Sequence, residues 1–316
     1  MFKRMLLIRG FENAASALAV EGIVHGPVHE STGQEAVAVG VCSNLRRRDL
    51  VQSNHRGHGH ALAKGADPVA MMKEILGRVG GTCGAKGGSM HIADFSVGMM
   101  GANGILADGM SVAVGAAQAA VLKNEEQVVC VFVGDGTTNR GPFYESLNWA
   151  KVFNLPLLVV CEDNRYASST LTQNVSSGGG PAVRARAFAI PAVTLDGNDV
   201  VAVDETAAEL IGRIRAGEGP QFLHAVTYRL KGHIWRDASS YRAKQEAEEN
   251  WRLEPIARYE QWLKENGISN QAIDEARKET DRIISEAVTQ AREAPFPAPE
   301  NAYDDVQTVG GFRCSK

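Results

Sequence analysis

Three short stretches hold residues able to bind a metal ion and an anion together: Gly134-Asp135-Gly136, Glu162-Asp163-Asn164 and Lys231-Gly232-His233. The Asp135 carboxylate and the Asn164 amide oxygen are hard ligands. They suit Mg²⁺, which takes few protein oxygens and completes its octahedron with phosphate oxygens and water. The glycines flanking Asp135 let a diphosphate approach the backbone, and a helix beginning near Pro142 would direct its N-terminal amides toward that anion. Imidazole titrates near neutrality, so His233, in a glycine-flanked loop, suits proton transfer. A Gly-Asp-Gly triplet alone is weak evidence, since an Asp between glycines is common in turns. It gains specificity from what precedes it.

Each stretch follows an apolar run. Residues 127–133 (QVVCVFV) and 155–161 read as strands buried on both faces of a parallel sheet. Runs at 192–195 and 221–228 read as two more, separated by a helix over 199–215. Small apolar residues at 111–121 suit a tightly packed helix, and Phe143, Leu147 and Ala150 share one face of the helix that Pro142 opens. This alternation predicts an α/β fold with a doubly wound parallel sheet and right-handed crossovers. In such a sheet ligands bind beyond the carboxyl ends of the strands. Neighbouring strands joined by one helix would bring Asp135 and Asn164 together.

The flanks read differently. Met5, Ile8, Phe11, Ala15 and Leu18 recur at helical spacing, and residues 1–50 are expected as N-terminal helices packed on an α/β domain at 51–242. Residues 51–110 are rich in Gly, His and Met with few regular periods, and 168–182, holding Gly178-Gly179-Gly180, read as a mobile loop. Helices over 246–266 and 268–293, ended by Pro295, Pro297 and Pro299, make a helical extension at 243–316 with packing or subunit contact as its expected role.

Composition excludes several classes. A net charge of −4 with 44% hydrophobic and 22% charged residues is that of an ordinary globular protein and gives no reason to expect nucleic acid as a partner. Arg46-Arg47-Arg48 is too short to change that, and no segment approaches a membrane span. Cys42, Cys83, Cys130, Cys161 and Cys314 form no CxxC pair, with Cys130 and Cys161 inside apolar runs, so a reducing cytoplasm is expected.

The stretch GDGTTNRGPFYESLNWAKVFNLPLLVVCEDN (134–164) resembles the thiamine-diphosphate motif, in which GDG is followed by a helix, a strand and Asn. The resemblance covers nearly the whole chain. STGQEAVAVGVCSNL (31–45), HRGHGHALAKG (55–65), GTCGAKGGSMHIAD (81–94), GANGI (101–105), DGNDV (196–200) and the TYR…GH stretch at 227–233 are similar to the α subunits of the decarboxylating component of 2-oxo acid and acetoin dehydrogenase complexes, acetoin dehydrogenase above all. That resemblance implies the thiamine-diphosphate-binding fold, thiamine diphosphate and Mg²⁺ as cofactors, and a β subunit in a heterotetramer of two α and two β chains. It also implies a lipoyl acyltransferase component as acceptor of the acyl unit. Asp135, Asn164 and the Tyr166 carbonyl would hold the metal, and His55 and Arg56 the diphosphate. Gly136 and Thr137 would contact the phosphates, and Gly104 and Leu106 the aminopyrimidine, all through the backbone. His233 would sit at the substrate end as a catalytic residue, with His58 beside it. The Glu that activates the cofactor would come from the β subunit. His25, His29, His60, His91 and His224 are expected to be structural, with His60 and His91 also able to line the cavity.

Some positions depart from the family. Asp163 replaces a usual Asn, which adds a negative charge near the metal, and Arg140 stands where Glu or Gln is usual. Ile234 occupies the position of the phosphorylated Ser of the mitochondrial type, followed by Trp235 and Arg236, which lie where the tail of the substrate would sit. Arg236 is thus either a partner for a carboxylate or phosphate or a solvated charge. Asp237-Ala-Ser-Ser-Tyr241-Arg242 matches the family's DxxxYR loop, which orders on cofactor binding. The substrate stays open between acetoin and a 2-oxo acid such as pyruvate. The alternative is a carboligase or acyl or ketol transferase of a biosynthetic pathway.

Overall fold

The computed structural model describes residues 1–304; Cys314 and the end of the C-terminal extension lie outside them. The chain opens with two helices, α1 (Phe2–Val20) and α2 (Glu35–Ser43). Next come β1 (Leu50–Asn54), α3 (Gly57–Lys64), α4 (Pro68–Ile75) and β2 (Met99–Asn103). The segment 51–110 therefore holds two strands and two helices, where sequence periodicity shows little. Its strands, LVQSN and MMGAN, are only five residues each and lack the β-branched runs that make the central strands legible.

The expected α/β alternation follows: α5 (Asp108–Leu122), β3 (Val129–Gly134), α6 (Gly141–Val152) and β4 (Leu157–Asp163). The short antiparallel hairpin of β5 (Tyr166–Ala167) and β6 (Thr170–Leu171) then precedes α7 (Pro181–Ala187), so the expected loop at 168–182 carries defined structure. Then come β7 (Ala192–Asp196), α8 (Val200–Arg215) and β8 (Gln221–Val226). The C-terminal region forms α9 (Lys244–Trp251), α10 (Pro255–Glu265) and α11 (Asn270–Glu293). The single helix expected over 246–266 is therefore two. It breaks because Pro255 has no N–H to continue it and instead opens α10, whose first amides are capped by the Glu254 carboxylate.

Six strands form one parallel sheet in the order β2-β1-β3-β4-β8-β7. From β1 the chain moves outward to β2, then returns across β1 to β3 and proceeds to β4. The strand order therefore reverses between β1 and β3, and their carboxyl ends form the crevice where an open α/β sheet binds its ligand. Register sharpens this. Gly134 pairs with Glu162 and Asp163 with Val226, so Asp135, Asn164 and the exit of β8 emerge side by side.

Burial explains the central strands: Val131, Phe132, Val159 and Val160 are at most 1% exposed, covered on both faces by helices. One apolar cluster runs from Phe2 through Phe132 and Leu223 to Ala291, so the terminal helices share the core of the sheet. Arg9 joins them further, donating to Glu35 on α2 and to Glu254 at the start of α10. Among the described residues no helix is long and apolar enough to cross a membrane.

Candidate active site

A cavity of about 350 Å³ opens at the strand-order reversal. Its lining includes His55, Arg56, Gly104, Leu106, Asp135, Gly136, Thr137, Asn164, Tyr166 and His233. Each arrives by a short route. Asn54-His55-Arg56 leaves β1 and turns into α3, and Gly104 to Leu106 leave β2. Asp135 to Thr137 form a 3-10 turn after β3, with Asn164 and Tyr166 just past β4.

Electrically, the cavity holds unmatched charges of both signs. Asp135 is 3% exposed, and burial pushes its carboxyl up to about 6. It accepts from the Thr172 hydroxyl but makes no ion pair among the described residues. Arg56, 3% exposed, makes no ion pair with a carboxylate there either; it donates to the Glu30 carbonyl and to the His233 carbonyl at 3.3 Å. Burial and the neighbouring Arg229 pull Arg56 down to about 10, which leaves it charged at neutral pH. Arg229 is 1% exposed, its Nε has no partner, and burial lowers it too. It spans the carbonyls of Tyr166 (3.3 Å) and Ser168 (2.8 Å). Buried unpaired charge is costly, so one wall of this cavity asks for a cation and another for an anion.

Three imidazoles meet near the guanidinium groups. His29, His55 and His233 have ring centroids 4.6, 4.9 and 5.5 Å apart. Burial, then the Arg56 charge, lowers His29 to about 3 and His233 to about 4, and holds His55 well below the ordinary value. All three are neutral at physiological pH, each offering one donor and one acceptor. The loop after His233 is pinned by Asp237, whose carboxylate accepts from the His233 amide (2.6 Å) and the Tyr241 hydroxyl (2.7 Å). Gly232 is required there, because a Cβ would run into the Asp237 carbonyl.

Other expected residues lie elsewhere. His58 does not line the cavity. It is fully buried behind it, its Nδ1 2.8 Å from Glu12 and its Nε2 3.1 Å from Ser89. Helix α3 turns it inward, and both ring nitrogens are engaged. His60 stacks on Phe132 and meets Ser53 at 2.7 Å, and His91 meets the Ala102 carbonyl; neither reaches the cavity. Trp235 and Arg236 also miss it. The Trp235 amide donates to the Val28 carbonyl, and the exposed Arg236 stacks on the Trp235 ring at 4.3 Å. The additional charge of Asp163 is met by His224, with Nε2 2.9 Å from Oδ2.

Sequence reasoning missed His29, Gln34, Met90, Ser168 and Arg229. His29 comes from the loop before α2, about a hundred positions from Asp135, and no local pattern marks it, whereas Gln34 was visible only as part of the STGQ stretch. Arg229 was visible only as part of the TYR…GH stretch.

These features define an α/β enzyme site in which a buried carboxylate and a buried guanidinium line one cavity at the carboxyl edge of a parallel sheet. The family model of the dehydrogenase E1 component matches residues 3–300, and the chain belongs to that family. It is 44% identical over 314 residues to the α subunit of the acetoin:2,6-dichlorophenolindophenol oxidoreductase of Cupriavidus necator, covering 97% of this chain and 92% of the relative. Identity to the Bacillus subtilis subunit of the same name is 42% over 307 residues, with the same shares. The pyruvate dehydrogenase E1 component subunit alpha of Zymomonas mobilis is 34% identical over 307 residues, covering 96% and 87%. Membership in this family implies thiamine diphosphate as the cofactor.

Proposed function

We propose that this chain is the α subunit of a thiamine-diphosphate- and Mg²⁺-dependent dehydrogenase that cleaves acetoin, or a 2-oxo acid such as pyruvate, and passes the acyl unit to lipoamide. The observation that carries the reading is the pairing of unmatched buried charges, Asp135 on one wall and Arg56 on the other, with Arg229 buried nearby. A divalent cation and a diphosphate would satisfy both at once. Asp135 and Asn164, with the Tyr166 carbonyl, are the metal ligands in this reading. Arg56 and His55 hold the phosphates, helped by the backbone of Gly136 and Thr137. Gly104 and Leu106 take the aminopyrimidine.

The bound cofactor would supply the nucleophile that adds to the carbonyl and the electron sink that follows C–C cleavage. The chain supplies the rest. Neutral His233 and His29 can donate to an oxygen of the substrate and accept its proton, and the Asp237 carboxylate fixes the loop that presents His233. Acetoin, neutral and bearing both a carbonyl and a hydroxyl, suits a wall of neutral imidazoles; identity to the two acetoin oxidoreductase subunits supports the same choice.

A β chain completes the enzyme in this proposal, in a heterotetramer of two α and two β, with a lipoyl acyltransferase as acceptor. Support comes from the apolar surface left on α5 and α6 and just past α6, where Val112, Leu122, Trp149, Val152 and Phe153 are 45–78% exposed. Free thiols at Cys42, Cys83, Cys130 and Cys161 support a cytoplasmic location.

The test is dye reduction by the co-expressed α–β pair offered acetoin, pyruvate and branched 2-oxo acids. Acetoin should reduce the dye with the highest kcat/KM. Absence of dye reduction by every substrate, with a ligated product accumulating instead, would establish a carboligase.

A further inference from the structure

The C-terminal helices have no residue in the cavity, yet one of their carboxylates binds the side-chain hydroxyl of a tyrosine that lines it. Glu246 on α9 accepts from the Tyr166 hydroxyl at 3.1 and 3.0 Å through its two oxygens, and from the Tyr228 hydroxyl at 3.0 Å. Both rings are buried, Tyr166 at 6% and Tyr228 at 1% exposure, and they meet edge-on with centroids 6.3 Å apart. The Arg242 guanidinium lies 5.7 and 5.5 Å from their centroids.

The backbone of Tyr166 has little freedom. It sits between two left-handed residues, Arg165 (φ 70°) and Ser168 (φ 54°). Its amide donates to Asn164 Oδ1 at 3.3 Å, and its carbonyl accepts from Arg229 at 3.3 Å. Tyr228 directly precedes Arg229 and leads to His233. One carboxylate on a C-terminal helix therefore fastens the hairpin after β4 and the segment after β8.

We propose that Glu246 is a positioning residue for the metal half of the site: through the Tyr166 hydroxyl it fixes the direction of the Tyr166 carbonyl, and through Tyr228 the placement of Arg229. The inference rests on the reading of the cavity as a Mg²⁺–diphosphate site. Groups that orient metal ligands in this way change metal affinity by about 10–100-fold when removed.

The experiment is a Mg²⁺ titration of the co-expressed α–β complex at fixed thiamine diphosphate, followed by calorimetry. In Tyr166→Phe and Glu246→Ala the Mg²⁺ concentration at half-saturation should rise about tenfold. Glu246→Gln, which keeps one acceptor oxygen, should fall between. The double variant Tyr166→Phe/Glu246→Ala should be no weaker than Glu246→Ala, since both changes remove the same link. Half-saturation unmoved in both single variants, or additive losses in the double, would overturn the proposal. So would a lowered unfolding midpoint with metal affinity intact, which is the mark of a purely structural contact. Tyr166→Phe removes a single hydroxyl and decides the question by itself if Glu246→Ala does not assemble. Asp135→Ala separates the two levels: if it abolishes the Mg²⁺ dependence while the Glu246 variants behave as wild type, only the positioning role fails. If Asp135→Ala leaves that dependence intact, the metal assignment itself fails.

Discussion

Single residues set the charge of the cavity. Asp135 is a buried carboxylate without a cationic partner among the described residues, and its elevated pKa expresses the free energy of desolvating it. A divalent cation would supply the missing charge, whereas the Thr172 hydroxyl offers only a hydrogen bond. Asp135→Ala should therefore abolish Mg²⁺-dependent binding of thiamine diphosphate to the α–β complex, by calorimetry. The loss should exceed the roughly hundredfold effect of removing a group that merely orients a ligand. Affinity equal to wild type would exclude Asp135 as a metal ligand. At the same scale, His29 shows how a residue type can mislead: a lone His far from the strand ends looks structural, yet the fold sets it edge-on against His55 and His233.

At the scale of elements, the strand ends carry the candidate ligands and the connecting loops must be held rigid to present them. The glycine-rich loop at 80–88 is the sharpest case, because more than half of its residues are glycine and its backbone entropy is correspondingly high. Glu74, on α4 and fully buried, fixes it by accepting from the amides of Cys83, Ala85, Gly87 and Gly88 at 2.8–3.1 Å. The loop then places Ser89 on His58 and Met90 in the cavity. Hydrogen bonds to a charged group contribute about 1.5–3 kcal/mol each. Glu74→Ala should thus lower the unfolding free energy by several kcal/mol in urea titrations, and raise KM more than it lowers kcat. A stability change below about 1 kcal/mol would show that the loop orders without it.

At the scale of the whole molecule, one core joins the sheet to both terminal helical regions, while exposed apolar residues on α5 and α6 await a covering surface. The chain purified alone should show no turnover of acetoin or pyruvate with dye, and adding the β chain should restore it; measurable turnover by the single chain would overturn the two-chain reading. The sequence by itself determined the central sheet, since Val131, Phe132 and Val159 belong to apolar runs that only a doubly covered strand can bury. It also determined Asp135, Asn164 and His233 as candidates, because each follows such a run within a few residues. Tertiary structure decided what sequence order scrambles. It brought His29 and Gln34 into the cavity, turned His58 inward onto Glu12, and left Trp235 and Arg236 outside. It also lowered the pKa values of His29, His55 and His233 and linked α9 to the hairpin after β4. The physical reason is common to all of these: they depend on which distant segments pack together and exclude water, and hydrophobic periodicity records that a residue is buried without recording against what.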